Sequence, residues 1–382
     1  MKKELHGELG IIGMKGCESL TQQIDNYMMR WRNSEESFIV PVDCPRFGTG
    51  EGKGMVLKSV RGMDLFIVCD MFNYGVTYKL RGVEIPMSPD EHYCDLKRVL
   101  GAIEGKARRI NVIMPMLYEG RQHRRNGRES LDCAMMLREL VTYGVTNIIT
   151  FDAHDPRVAN SIPLTGFDNY QPTYQMIKAM VRAVPDISFE KEHLIIISPD
   201  EGAMGRCMYF SSVLGIDVGM FYKRRDYSKV VNGRNPIVAH EYLGQDLTGK
   251  DVIIVDDMIS SGESFFDVAG QIKRRGAKRI FAFDTFGLFT AGFEKFDEAY
   301  KDGLFDRIFT TNLVYTDPEI FNHEWYICVN MSKYMSYIID TLNHDETIGH
   351  IIDPVKKIHA LLEKHREETG GQLRIDFGAS QS

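Results

Sequence analysis

DVIIVDDMISSGES, residues 251–264, runs from a buried strand through two acids into a short polar turn and then a helix. Val252, Ile253, Ile254 and Val255 are consecutive β-branched residues, as expected of a strand covered on both faces, and Asp256 and Asp257 close that run. Beyond the turn, Phe265, Val268 and Ile272 recur at helical spacing, and Gly276 after Arg274 and Arg275 supplies a stop. A strand, a Ser/Gly turn and a helix start aim backbone N–H groups and the positive end of a helix dipole at an anion; Ser260, Ser261 and Ser264 add hydroxyl donors around Gly262 and Glu263. The two carboxylates would repel a phosphate, yet they suit the neighbouring hydroxyls of a sugar. One segment is thus expected to hold a sugar phosphate at both ends. The plainer alternative is a capped helix following a strand with two solvated acids.

Similar apolar runs recur outward along the chain: LGIIG near 9, FIVPV near 38, LFIVCD at 65–70, INVIMPM at 110–116, NIITFD at 147–152, LIIIS at 194–198, VGMFY near 218, RIFAFD at 279–284 and RIFTTN near 307. Helical patterns separate them. Ser88, Pro89 and Glu91 make a capping-box start for a helix reaching about Gly105. Strands alternating with helices predict an α/β protein with mostly parallel sheets, and so many strands predict two sheets. The turn-rich stretch at 160–172 sets the expected division: domains at 1–165 and 166–345, then a helical extension and tail at 346–382.

With 382 residues, 43% of them hydrophobic and 26% charged, the chain can bury sizeable cores without staples. A net charge of −7 with mixed signs provides no basic tract for nucleic acid. Seven scattered cysteines include no Cys-x-x-Cys pair and predict reduced thiols. No stretch approaches the ~20 apolar residues of a membrane span, so neither a membrane nor a nucleic acid is expected as partner, and the cytoplasm is the expected location.

The 251–264 segment resembles the 5-phosphoribosyl 1-diphosphate motif shared by type I phosphoribosyltransferases and ribose-phosphate pyrophosphokinases. Four further segments resemble the pyrophosphokinases: PRFGTGEGKG with VRGMDLFIV, GRQHRR at 120–125, TFDAHD at 150–155 with DNYQP at 168–172, and SPDEGAMGR at 198–206 followed by FYKRRD. The resemblance implies two phosphoribosyltransferase-like domains and transfer of the diphosphoryl group of Mg-ATP to the C1 hydroxyl of ribose 5-phosphate. It implies ATP contacts from Phe47, Glu51, Arg121 and Gln122, and Mg2+ near His154 and Asp200. It also implies catalytic roles for Lys223, Arg225 and His154, with ribose 5-phosphate held by Asp256, Asp257 and residues 260–264. Family enzymes form dimers stacked into hexamers, so a homo-oligomer is expected.

The likeness is imperfect. Ser260 and Glu263 stand where the family carries Asp and Gly, Thr49 and His123 replace an acid or amide and an Asp, and residues 74–92 look inserted. A glutamate beside a phosphate is unfavourable unless it opens the helix with its side chain turned outward. Two other functions fit the same residues: a phosphoribosyltransferase, and a non-catalytic synthetase paralogue with a regulatory or scaffold role.

Overall fold

The computed structural model describes residues 5–225 and 237–369; the expected tail at 370–382 lies outside them, as do the side chains of residues 223–225, 237–240, 350 and 352. Five strands, Glu8–Gly13, Met63–Val68, Arg109–Ile113, Asn147–Phe151 and Gly166–Tyr170, lie side by side in chain order as a wholly parallel sheet. A second sheet of seven has the order Ile237–Leu243, Val218–Arg225, Leu194–Ser198, Asp251–Ile259, Arg279–Gly287, Arg307–Thr311, Tyr326–Val329. Its first strand alone runs antiparallel to its neighbour. Every residue of Met63–Val68 and Leu194–Ser198 is buried, as the unbroken apolar runs require when helices cover both faces.

The capping box forms as the sequence predicts. Ser88 accepts from the Glu91 N–H, Glu91 returns the bond to the Ser88 N–H, and the helix Pro89–Ile103 follows. The segment read as an insertion, 74–92, contributes a two-stranded hairpin, Thr77–Leu80 with Val83–Pro86. FIVPV near 38 is not a full strand: Ile39 makes one bridge to Ile11, and only Val42–Asp43 pairs further, with Met55–Val56.

The boundary expected at 165/166 falls at the start of a strand of the first sheet. Gly166–Tyr170 pairs with Asn147–Phe151 inside the first sheet, and the next helix, Thr173–Ala183, packs on the second. The chain also returns late to the first half. Helix Ser332–Asn343 packs along Glu18–Arg32, with Arg32 held to Asp340 at 2.7 Å and Asn343 donating to Asp64 at 2.8 Å. The last helix, Val355–Glu368, lies on Thr173–Ala183 and Met204–Leu214. One continuous apolar layer joins Ile11, Phe66 and Ile149 of the first sheet to Ile196, Ile253 and Phe283 of the second. The two halves are therefore fixed together, with the carboxyl ends of several strands meeting at a seam. Ligands bind at such ends in open parallel sheets.

Candidate active site

Asp256 and Asp257 do not end their strand, as the sequence suggested. Pairing with Arg279–Gly287 continues from Asp256↔Asp284 through Met258↔Phe286 to Ile259↔Gly287. Within a strand, successive side chains point to opposite faces, so the two acids serve different cavities. Asp256 lines a pocket of about 140 Å3 with Pro199, Asp284 and residues 260–264. Asp257 lines a separate cleft of about 200 Å3, with Tyr118, Glu119, Arg121, Asp152, His154 and Phe286. Met258 borders both.

The turn itself is shaped by Gly262. Its φ is +82°, in the left-handed region, and a Cβ there would stand 2.5 Å from Phe296 Cζ and 2.8 Å from Phe266 Cε2. A side chain at 262 would meet both strain and a clash. Glu263 is the first residue of helix Glu263–Arg274 and is exposed, where an acid complements the dipole. Ser260 is hydrogen-bonded through its hydroxyl to Thr290 at 3.0 Å, and Ser261 and Ser264 line the pocket with it.

Between the cavities sits a cluster of opposed charges. Arg206, only 9% exposed, reaches Asp152 at 3.2 Å, Asp256 at 3.4 Å and Asp257 at 3.8 Å. Asp152 comes from the first half of the chain and the other three residues from the second, so Arg206 bridges the seam. Thr285 donates to Asp152 at 2.7 Å, and His154 Nδ1 lies 2.6 Å from Asp257. Asp152 has φ +39°, a conformation that costs about 1 kcal/mol or more and is kept only where surroundings dictate it.

The electrostatics follow from burial and neighbours. Burial pushes the Asp284 carboxyl up to about 8, with the Asp257 charge adding to it. Asp256 is raised by burial, then by Asp257 and Asp284. Burial raises Asp152 against the pull of Arg206. For Asp257, the opposing burial effect is outweighed by the His154 hydrogen bond and Arg206, and its carboxyl is lowered. The bond to Asp257 in turn raises His154.

The remaining expected residues are dispersed. Arg121 reaches the cleft, but Gln122 turns back to the Ser130 carbonyl at 2.9 Å and holds its own loop. Phe47 and Glu51 line neither cavity. They sit in a tight turn closed by the Phe47 N–H to the Glu51 carbonyl at 2.8 Å, with Phe47 57% exposed and the turn rooted by Arg46 on Asp95. Asp200 spends Oδ1 on the N–H groups of Gly202 and Ala203 and lines neither cavity, so it shares no pocket with His154. Lys223 and Arg225 lie on strand Val218–Arg225, with side chains outside the described residues. Sequence reasoning passed over Arg206 and Asp284. Each stood in a quoted segment; Asp284 was legible as a charge inside an otherwise apolar, buried stretch, whereas Arg206, in the polar segment SPDEGAMGR, carried no such signal.

For Mg2+, the donors are sparse: among the described residues no three His, Cys, Asp or Glu side chains form a metal-holding group. Asp256, whose side chain is 31% exposed beside the serine turn, is a carboxylate that would be able to offer an oxygen to a Mg2+ ion carried in on substrate phosphates. That donor set fits a substrate-borne metal better than a resident one.

Residues 9–144 match the N-terminal domain of ribose phosphate pyrophosphokinase, residues 167–284 the phosphoribosyl transferase domain, and residues 230–353 the phosphoribosyl synthetase-associated domain. The ribose-phosphate pyrophosphokinase of Vibrio parahaemolyticus is 25% identical over 311 residues, covering 80% of this chain and 88% of its own. That of Ureaplasma parvum is 28% identical over 214 residues, 56% of this chain and 61% of its own. The crystal structure of phosphoribosylpyrophosphate synthetase from Mycobacterium smegmatis superposes with a TM-score of 0.71 at 17% identity, covering 88% of this chain and 99% of that one, and so shares the fold.

Proposed function

This chain belongs to the ribose-phosphate pyrophosphokinase family, and from that premise we propose that it transfers the diphosphoryl group of ATP to the C1 hydroxyl of ribose 5-phosphate, releasing AMP and 5-phosphoribosyl 1-diphosphate. The observation that carries this reading is the pairing of two cavities across one strand: the serine turn with Asp256 on one side, and the His154, Arg121 and Asp257 cleft on the other. A sugar phosphate in the first and a polyphosphate in the second would bring C1 towards the β-phosphorus at Met258.

On this reading, the N–H groups of residues 261–264 and the hydroxyls of Ser261 and Ser264 hold the 5-phosphate, and Asp256 accepts from the ribose hydroxyls. Asp257 acts mainly on His154, orienting the ring and favouring its charged form beside the transferring group. Arg121 and His154 would stabilise charge on the phosphates, with Lys223 and Arg225 closing from the neighbouring strand. The C1–O bond to phosphorus forms as the bond to the AMP oxygen breaks, and the hydroxyl proton leaves to solvent or a carboxylate. Mg2+ would supply charge neutralisation on the ATP oxygens; Asp256 would approach it, His154 would do so only through Nε2 in its neutral form, and Asp200 only through Oδ2. Phe47 and Glu51 line neither cavity, so an adenine contact from them would require a neighbouring copy, consistent with the homo-oligomer expected of the family. Seven free cysteines accord with a cytoplasmic enzyme.

Purified protein, Mg2+, ATP and ribose 5-phosphate should yield AMP and 5-phosphoribosyl 1-diphosphate in equal amounts. Formation of ADP instead would refute diphosphoryl transfer. Binding of ribose 5-phosphate without any product would favour the non-catalytic paralogue.

A further inference from the structure

Away from the cleft, a cavity of about 570 Å3 opens between helix Thr173–Ala183, the first turns of Ser332–Asn343 and the C-terminal segment around Pro354 and Lys357. Among the described residues its wall carries Lys178, Arg182, Lys333 and Lys357 and no aspartate or glutamate, although the chain as a whole has 53 acids against 46 basic residues. Lys178 and Arg182 are four residues apart on one helix face, where like charges repel. Among the described residues none of the four cations forms an ion pair with a carboxylate. The repulsion registers on Lys178, whose ammonium is lowered by burial and then by Arg182 and Lys333.

Aromatic rings hold two of these cations in place: Lys178 Nζ stands 5.8 Å from the Tyr174 ring, and Lys333 Nζ 5.8 Å from that of Tyr337. A fold gains nothing from converging four uncompensated cations on a concavity, since each could turn to solvent or meet an acid. The volume falls in the range of small-molecule sites, about 300–1,000 Å3. We propose that this cavity binds a small molecule bearing two or more linked phosphate groups, whose charge the four cations neutralise together. Lys357 belongs to helix Val355–Glu368, which begins just beyond residue 353, where the match to the synthetase-associated domain ends. Nothing in it depends on the activity of the cleft.

Competitive labelling with an amine-reactive reagent, read residue by residue by peptide mass spectrometry, tests the idea on the intact protein. Inorganic tripolyphosphate should slow modification of Lys178, Lys333 and Lys357 by about fivefold at roughly four times its dissociation constant. The exposed Lys301, on helix Glu294–Lys301, should react at an unchanged rate. Sodium chloride at equal ionic strength should not protect. In the double variant Lys178→Ala, Lys333→Ala, protection of Lys357 should vanish while the Michaelis constant for ribose 5-phosphate stays within about twofold. Equal protection of Lys301 would overturn the proposal, as would protection by salt alone or protection of Lys357 that survives in the variant. Pocket lysines unreactive from the outset would overturn it too, because the face would then be covered by another subunit.

Discussion

Replacing Arg206 with methionine removes the shared cation of Asp152, Asp256 and Asp257 while keeping most of the side-chain volume. Because Arg206 is nearly buried and its partners come from both halves of the chain, its loss strands several carboxylates at the seam. Breaking a buried pair by deleting one partner costs about 3–5 kcal/mol. At about 2.1 cal/mol/K per residue, a chain of 382 residues has an unfolding entropy near 0.8 kcal/mol/K if it melts as one unit, so the midpoint should fall by about 4–6 °C. The pH dependence has a definite sign. Asp152, Asp256 and Asp284 all lie above their ordinary 3.8 in the folded state, Asp284 at about 8, so between roughly pH 4 and 8 the native state binds more protons than the unfolded chain. Stability then falls as pH rises. Arg206 opposes those upward shifts, so its removal steepens the fall. Melting curves at about pH 5.5 and 8.5, followed by the fluorescence of Trp31 and Trp325, should show the variant closer to wild type at the lower pH. A midpoint change under about 1 °C at pH 8.5, or a greater loss at 5.5, would refute the reasoning.

Gly262→Ala should cost about 2–4 kcal/mol from left-handed strain and overpacking against Phe296 and Phe266, and should raise the Michaelis constant for ribose 5-phosphate more than that for ATP; equal changes would argue against a phosphate role for the turn. Glu263→Gly should alter ribose 5-phosphate binding by less than about threefold, because Glu263 is exposed at the start of its helix and its proposed contact is the backbone N–H, which glycine keeps; a tenfold tightening would show that the acid opposes the phosphate. His154 should titrate above its ordinary 6.5 by nuclear magnetic resonance and move downward in Asp257→Asn. Its pairing stabilises the fold below 6.5 and is lost as pH rises through the higher native value, and a native value at or below 6.5 would exclude the pairing. Asp256→Asn should weaken ribose 5-phosphate binding, whereas Asp257→Asn should chiefly lower turnover; identical kinetic effects would contradict their assignment to separate cavities.

Much of this architecture is legible in the chain because apolar runs and turn chemistry act locally. Nine of the quoted runs, from LGIIG to RIFTTN, form strands, and the capping box at Ser88 closes as written. FIVPV failed because Pro41 lacks an N–H for a ladder and the run sits beside a sheet edge. Gly166–Tyr170 escaped notice because its sequence, GFDNY, has the polarity of a loop; its strand is imposed by Asn147–Phe151 alongside. The site was legible as segments and not as geometry. Which acid faces which cavity depends on how far pairing with Arg279–Gly287 extends beyond Val255, a tertiary property. Arg206 shows the same limit, since its partners lie 50 or more residues away.

The same dependence explains why an acid-rich seam survives in the fold. Asp152, Asp256, Asp257 and Asp284 could not be gathered by local preference, because each raises the cost of ionising another. They are held by the apolar layer that joins Ile11 and Phe66 to Ile253 and Phe283, whose burial stabilises the halves against each other. A region stabilised from outside can carry repulsion within. Polyphosphate substrates would add further negative charge, so productive binding would bring cations with it, and the partly exposed face of Asp256 beside the serine turn is where a substrate-borne metal would meet the protein at least desolvation cost. The seam is thus poorly suited to an uncharged ligand. Its unfavourable charge before binding becomes selectivity for ligands that arrive with their own counter-ions.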